Sequence, residues 1–339
     1  MGFIFGTSFL IGFSFADNFS KCFVEQRSIL LKESDQVRIS FIQDYDLDSH
    51  GNIWMIDWDN SELFKFNDRG ESPVLIATRG KGPGELVSPQ SIYIDKNDSV
   101  FVATFGNRVT QYDAKGNYLY AFITVDGHIP TNCVAVNSRG SILVGGPKKK
   151  RNKGLLAGEM VHMYSPTGAY LKSFCQMDSK VGEMSLEGYS AVFFDLDRND
   201  NLYTVQSVNF LITVFDENGN MIKSFGEKGN HYRKPGILMH AIERDETQME
   251  NFLRNFTYVM DIFVFDKRVA ILSRNYPGKY GNKYAYFIDI YDSESGKLIA
   301  GEIESDMILY RIKNNDFYFL RTIAKGPHVP NVIKVYRLR

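Results

Sequence analysis

The chain has 339 residues, with 39 Lys and Arg against 40 Asp and Glu. A net charge of −1 gives no general attraction to nucleic acid or to anionic lipid, so charge supports neither kind of partner. With 44% hydrophobic residues the chain can bury a large core, and three cysteines are too few for a disulfide framework.

The chain begins with an apolar run at residues 2–15, which ends in Ser14-Phe15-Ala16. This small-x-small pattern predicts a signal peptide over residues 1–16 and a single mature domain over residues 17–339. The protein is therefore expected to be exported, to the periplasm or the cell surface. No Lys or Arg precedes the run, so a disordered or buried N-terminal segment is the alternative. No later stretch reaches the roughly 18 apolar residues of a membrane-spanning helix.

The clearest repeat unit lies at residues 78–116. A glycine-rich lead-in is followed by three predicted strands at residues 91–95, 100–104 and 109–112, joined by polar turns and closed by Gly116. Short strands with regular turn signals indicate an all-β array.

An aromatic residue at the end of the third strand, followed by a polar turn and usually a glycine, recurs along the chain. The intervals between these residues are near the roughly 40 to 50 residues of a four-stranded propeller blade, with one long interval before the fifth anchor. The anchors are Phe66, Tyr112, Tyr164, Phe215, Tyr291 and Tyr336. A polar first turn also occurs once in each copy, so the sequence predicts six blades.

The two ends of the chain complement each other. The sixth copy stops after its third strand. A strand-like segment at residues 23–31 precedes the first predicted inner strand, at residues 38–44, and has no blade of its own. We expect this N-terminal strand to complete the last blade and close the ring, because closure leaves no raw inner edge. The fold prediction is thus an all-β, six-bladed β-propeller of four-stranded blades.

The lead-in GKGPGELVSP and the following IYIDKNDSVFVATFGNRVTQYDAKG resemble the NHL-repeat class of six-bladed propellers. They resemble in particular the extracytoplasmic six-bladed propeller proteins of Bacteroidetes. The resemblance implies a fold and a location outside the cytoplasm. It carries over no catalytic residue.

Long connections are predicted on only one face of the disc. They include residues 78–89, 145–159, 176–190, 226–257 and 274–283, and a helix is predicted near residues 241–255 in the longest of them. Loops on a rigid scaffold are where binding sites are usually built, so this face is the candidate functional surface. Drift in loop length without any function is the alternative.

Eight residues in the blade-to-blade and second-to-third connections of this face are the candidate ligand-binding residues. They are Trp58, Asp59, Arg79, Lys81, Glu85, Arg108, Tyr276 and Tyr280. Tryptophan and tyrosine offer apolar area with a polar tip, which suits peptide and carbohydrate surfaces. The structural alternative is that Trp58 covers blade packing, that the charged residues pair among themselves, and that the tyrosines belong to an ordinary hairpin.

The sequence shows no catalytic motif and no paired metal ligands. Asp44, Asp46 and Asp48 resemble a calcium loop, but Ser49 stands where glycine is expected, so a hairpin turn is favoured. His231 and His240 lie in the long insertion and are within reach of the central channel in this interpretation. No cofactor is predicted.

The leading functional hypothesis is an exported, non-catalytic, monomeric binding propeller that presents its loop-rich face to a glycan, peptide or protein. Nucleic acid is not an expected partner. The alternative is a metal-dependent hydrolase or lyase, lactonase-like, with a divalent metal in the central channel.

Overall fold

The computed structural model describes residues 16–124, 132–147, 150–152, 155–184, 190–234, 255–276, 284–321 and 331–339. These residues form six four-stranded antiparallel sheets and one two-stranded hairpin. Residues 1–15 of the predicted signal peptide, most of the predicted helix at 241–255, Tyr280 and His240 lie outside the described residues. No helix in the described part of the chain is long and apolar enough to cross a membrane.

The strands follow each other from the inside of each blade to its outside. Blade one is β2 Ile42–Leu47, β3 Ile53–Asp57, β4 Glu62–Phe66 and β5 Val74–Ala77. Blade two is β6 Pro89–Ile94, β7 Val100–Thr104, β8 Arg108–Tyr112 and β9 Tyr118–Ile123. Blade three is β10 Cys133–Val136, β11 Ile142–Gly145, β14 Glu159–Tyr164 and β15 Tyr170–Gln176. Blade four is β16 Val192–Leu196, β17 Leu202–Gln206, β18 Ile212–Phe215 and β19 Met221–Phe225. Blade five is β20 Tyr258–Phe265, β21 Arg268–Asn275, β22 Ala285–Asp292 and β23 Leu298–Ser305. Blade six is β24 Ile308–Lys313, β25 Asp316–Arg321, β26 Val332–Leu338 and β1 Phe23–Leu30. The remaining elements are α1 Ala16–Cys22, α2 Ser179–Met184 and the hairpin of β12 Lys150–Asn152 and β13 Leu155–Ala157.

The N-terminal strand β1 closes the ring, as predicted. It pairs antiparallel with β26, from Phe23 opposite Leu338 to Leu30 opposite Val332. Helix α1 extends this closure, since the Phe19 ring packs against Phe319 and Tyr336. The two ends of the chain therefore share one sheet.

The core is divided into six layers, one between each pair of neighbouring blades. Successive side chains of a strand point to opposite faces of the sheet. In β7, for example, Phe101 packs towards blade three and Val102 towards blade one. Both faces are buried, so β3 and β7 are buried along their whole length. Burial of both faces accounts for the mostly apolar sequences of β3 and β7.

The repeat register predicted from the aromatic anchors is confirmed, because all six anchors are buried. The turn after the anchor lies against the outer strand of the preceding blade. Gly168 shows why this turn needs glycine: its φ is +81°, and an added Cβ would lie 2.6 Å from Cγ of Phe122. The glycines thus bring neighbouring blades into close contact.

The polar turns are closed by aspartate side chains. Asp113 Oδ1 accepts hydrogen bonds from the backbone N–H groups of Lys115 and Asn117. Asp48 does the same for His50 and Asn52 in a first turn. These local bonds explain the Asp-rich turns.

The first inner strand starts later than the sequence pattern indicated. We expected it at residues 38–44, whereas β2 begins at Ile42. The buried carboxylate of Asp57 accepts hydrogen bonds from the backbone N–H groups of Ser40 and Phe41, at 2.6 and 3.2 Å. Ser40 and Phe41 therefore belong to the loop that precedes β2 and not to the inner strand.

The unequal distribution of loop length is confirmed. First-to-second and third-to-fourth connections have at most seven residues, as at 67–73. Connections between blades and between second and third strands include residues 78–88, 177–191 and 226–257. The first of these two classes of connection lies on one face of the propeller and the second lies on the opposite face. The long segments therefore share one face, which we call the loop-rich face.

Candidate functional site

An exposed aromatic pair lies on the loop-rich face of blade one. Phe41 and Trp58 are 43% and 44% exposed, and their ring centroids are 6.5 Å apart in an edge-to-face arrangement. The backbone N–H of Trp58 donates to the carbonyl of Phe41 at 3.0 Å. We call these two residues the Phe41–Trp58 patch.

Asp57 is the residue that holds the patch in place. Besides Ser40 and Phe41, its carboxylate accepts the backbone N–H of Asn60 at 2.9 Å. One buried carboxylate thus fixes both segments that carry the aromatic rings, and the rings are presented with little loss of freedom on binding.

Two of the predicted charged residues adjoin the patch. Arg79 donates from its guanidinium to the backbone carbonyls of Asp59 and Asn60. The Asp59 carboxylate accepts from Ser40 Oγ at 2.9 Å. Trp58, Asp59 and Arg79 therefore form one connected surface, as an interaction site requires.

The other predicted charged residues mainly shape the loop at residues 78–88. Arg108 donates to the carbonyls of Lys81 and Gly82 at 3.1 and 3.0 Å. Glu85 accepts the backbone N–H of Gly82 at 2.7 Å. These contacts occupy polar groups of Arg108 and Glu85 within the protein, so the two residues support the loop next to the patch.

The predicted tyrosines belong to a different part of the ring. Tyr276 lies in blade five, with its ring 5.6 Å from that of Tyr284, and its carbonyl accepts from Arg233. The structure does not join Tyr276 to the Phe41–Trp58 patch through any described contact.

A polar cavity of about 460 Å³ lies at the centre of the ring. It is lined by all six inner strands, and the charged residues among its walls are Asp44, Asp46, Asp195, Asp261, Arg311 and Lys313. Of the eight predicted binding residues, the seven that the structure describes do not line it. The cavity and the Phe41–Trp58 patch are therefore separate features.

Arg311 is the main cation of the cavity. Its Nη2 lies 3.2 Å from Asp44 Oδ2 and donates to the carbonyl of Ile92 at 2.6 Å. Its Nε lies 3.3 Å from Asp46 Oδ1 without being aligned for a hydrogen bond. One side chain of blade six thus connects blades one and two.

The cavity aspartates also satisfy the free inner edges of the sheets. Asp44 and Asp46 accept the backbone N–H groups of Ile92 and Ile94 in the next blade, and Asp195 accepts that of Val264. An inner strand has no neighbour on its channel side, so these bonds replace the missing ladder.

Burial is the largest influence on the cavity carboxyls. Desolvation raises the pKa of Asp44 and Asp195 to about 6, although Arg311 and backbone N–H groups act in the opposite direction. The pKa of Asp261 is raised to about 8, again by desolvation. Asp261 accepts only the N–H of Ile262 among the described contacts, whereas Asp44 and Asp46 lie against Arg311.

His231 is buried between blades four and five and does not line the central cavity, contrary to the expectation that it could reach the channel. Its Nε2 lies 3.4 Å from Asp289 Oδ2 and 3.3 Å from Ser273 Oγ. The ring stacks on Phe287 with centroids 4.5 Å apart. Burial lowers the pKa of His231 to about 4. Both neighbours approach the same ring nitrogen, so the group lacks the relay geometry of a catalytic triad.

Sequence reasoning missed Phe41, Asp57 and the cavity residues. Asp44 and Asp46 were noticed, but as part of a turn; their alternation in an inner strand was the available signal. Arg311 had no signal, because the carboxylates that it contacts, those of Asp44 and Asp46, are more than 260 residues away in the chain. In the described ranges, no group of three or more His, Cys, Asp or Glu residues is arranged to hold a metal ion.

Comparison with known proteins supports the fold. Residues 15–145 match the DUF5128 family, described as a 6-bladed beta-propeller. A Bacteroides fragilis protein described as a candidate exported protein aligns over 95% of this chain and 96% of its own, with a TM-score of 0.65 and 12% identity. A DUF4221 member from Bacteroides vulgatus aligns over 94% and 98%, with a TM-score of 0.68 and 9% identity.

A streptogramin B lyase also has this fold, with a TM-score of 0.53, 8% identity and coverage of 95% of this chain and 99% of the lyase. No curated protein sequence matches this chain. The predicted likeness to six-bladed propellers, including those of Bacteroides, is confirmed. At these identities the likeness describes the fold alone.

Proposed function

We propose that this protein is an exported, non-catalytic binding propeller that presents its loop-rich face to a protein or peptide. The observation that carries the proposal is the Phe41–Trp58 patch, two large aromatic side chains held exposed by the buried carboxylate of Asp57. Tryptophan and arginine are enriched among the residues that dominate binding energy at protein interfaces. Export is supported by the apolar N-terminal run and by the description of the Bacteroides fragilis neighbour.

The position of the patch supports binding rather than a packing role. If Trp58 only covered the junction between blades, its indole would be buried, as that of Trp54 is. The loop at residues 78–88 borders the patch and is stiffened by Arg108. A glycan is the other class of ligand that an exposed tryptophan serves.

The test is a screen of labelled wild-type protein on a peptide array and a glycan array, followed by affinity measurements on the hits. Trp58→Ala and Phe41→Ala should each weaken binding to a peptide hit at least tenfold, since truncating an interface tryptophan costs about 2 kcal/mol or more. Leu211→Ala is the matched control, because Leu211 is a similarly exposed apolar residue in a second-to-third turn on the same face.

The chain has only two tryptophans, and Trp54 is fully buried. Binding at the patch should therefore change the fluorescence of Trp58, and Trp58→Phe should abolish that change. Unchanged peptide affinity in both alanine variants would contradict the site, and hits on the glycan array alone would replace the partner class.

A second candidate is a hydrolase or lyase acting in the central cavity, with a divalent metal. It is favoured by the polar central cavity and by the shared fold of the streptogramin B lyase, whereas no three of the described carboxylates are arranged to hold a metal ion. Two of the cavity carboxylates are already engaged by Arg311 and by backbone N–H groups. Stoichiometric metal in purified protein, lost together with stability on chelation, would favour this candidate over the first.

A further inference from the structure

The outermost strand of blade two, β9, is an unprotected sheet edge. Its sequence Tyr118–Ile123, YLYAFI, contains no charged residue, no proline and no glycine. In the described part of the chain it pairs only with β8, so its outer backbone groups have no strand partner. Such an edge is a template for pairing with another strand.

The other outer strands carry the features that normally prevent such pairing. β15 and β19 contain Lys172 and Lys223, β23 contains Glu302 and Glu304, and β1 contains Glu25 and Arg27. β5 has no charge but is only four residues long. Charges and short length are known protections of sheet edges, and β9 has neither.

The exposed side chains of β9 lie near its two ends. Tyr118, Leu119 and Ile123 are 39%, 50% and 64% exposed. The Tyr120 hydroxyl donates to the carbonyl of Pro166, and the Phe122 ring packs on Tyr164 with centroids 5.0 Å apart. Contacts with blade three thus hold the middle of the strand, while apolar groups remain open at each end.

We propose that β9 pairs antiparallel with β9 of a second copy of this chain. A two-fold axis at Ala121, perpendicular to the sheet, places Leu119 of each copy opposite Ile123 of the other, because side chains two residues apart lie on the same face of a strand. Every apolar end then meets an apolar end, and no charge of either strand is buried. A two-fold contact closes on itself, so the product is a dimer and not a fibre.

The size of the contact determines its strength. Six residues at about 3.4 Å each give a paired edge of roughly 20 Å. A single pair of strands of this length buries less surface than a standard interface, which buries about 800 Å² per partner. The dimer is therefore expected to be weak and to need a high protein concentration. It differs from the monomer expected from the sequence, and it leaves the Phe41–Trp58 patch on blade one outside the paired strand.

The test is analytical ultracentrifugation of the mature protein from about 1 µM to about 200 µM. Wild type should pass from monomer to dimer over this range. The double variant Leu119→Lys and Ile123→Lys should raise the dissociation constant at least tenfold, because it places like charges opposite each other across the two-fold axis.

The matched control is Met221→Lys with Ile222→Lys in β19, where two apolar residues are similarly exposed on a strand that already carries Lys223. It should leave the dissociation constant unchanged. Circular dichroism and thermal midpoints of both double variants establish that they are folded. A wild type that stays monomeric at the highest concentration overturns the proposal, and so does a dimer that persists in the β9 variant. An equal loss of dimer in the β19 control overturns it as well.

Discussion

Replacing Arg311 by methionine tests how the ring is held together at its centre. Methionine keeps the unbranched stem but leaves Asp44 and Asp46 without their cation. A pair of charges 3.2 to 3.3 Å apart, as here, interacts by about 5 kcal/mol at an effective dielectric constant of 20. Desolvation of the charges offsets much of this attraction. Removing one partner of a buried pair still typically costs about 3–5 kcal/mol, because the other charge stays buried.

The cost should depend on pH. Arg311 lowers the pKa of Asp44, which burial raises to about 6, so its loss raises that pKa further. Below pH 5 the carboxyl can then be protonated in the folded state at little cost. Above pH 7 it must remain charged without a partner or be protonated against the solution pH. We therefore expect the destabilisation of Arg311→Met to be larger at pH 8 than at pH 5.

The assay is urea unfolding followed by circular dichroism at both pH values. Arg337→Met is the control, since Arg337 forms an ion pair with Asp316 but its side chain is 55% exposed. That pair should contribute less than about 1 kcal/mol. A loss for Arg311→Met below about 1 kcal/mol at pH 8, or an equal loss at both pH values, would refute the reasoning about the central ion pairs.

Two further changes test the cavity and the blade contacts. Burial raises the folded pKa of Asp261 to about 8, so keeping this carboxyl in the folded protein costs more stability as the pH rises from about 4 to 8. Asp261→Asn removes the ionisable group and should therefore stabilise the protein at pH 8. Unfolding free energies of both proteins at pH 5 and pH 8 check this, and a variant with wild-type pH dependence contradicts it. Gly168→Ala should cost about 1–3 kcal/mol, since it adds an overlap with Phe122 to the strain of positive φ. Gly51→Ala, with φ of +81° and its nearest contact at 3.6 Å, should cost only the strain, and equal thermal shifts would show that the overlap has no effect.

Much of the fold could be predicted from the sequence. Aromatic anchors, Asp-rich turns and turn glycines recur because each blade solves the same local problem with the same residues. Tyr112 ends a third strand, Asp113 closes the turn and Gly116 packs on the blade before it. The missing fourth strand at one end and the spare strand at the other likewise predicted the closure by β1.

The candidate site was only partly predictable. Trp58, Asp59 and Arg79 were predicted; Arg79 donates to the carbonyl of Asp59, and Trp58 precedes Asp59 in the chain. Phe41 was not, because it was assigned to a strand, and the hydrogen bonds from Asp57 that hold it in the loop depend on the folded backbone. Tyr276 shares the face but not the patch.

The sequence by itself determined the repeat, the number of blades and the face that carries the long loops, since these follow from local patterns of turns and alternating side chains. Only the tertiary structure decided what lies at the centre. Arg311 meets Asp44 and the carbonyl of Ile92 only when the ring closes and brings blades six, one and two together. The burial that raises the pKa of Asp261 is likewise a property of six converging strands. A single strand would not bury Asp261 in this way.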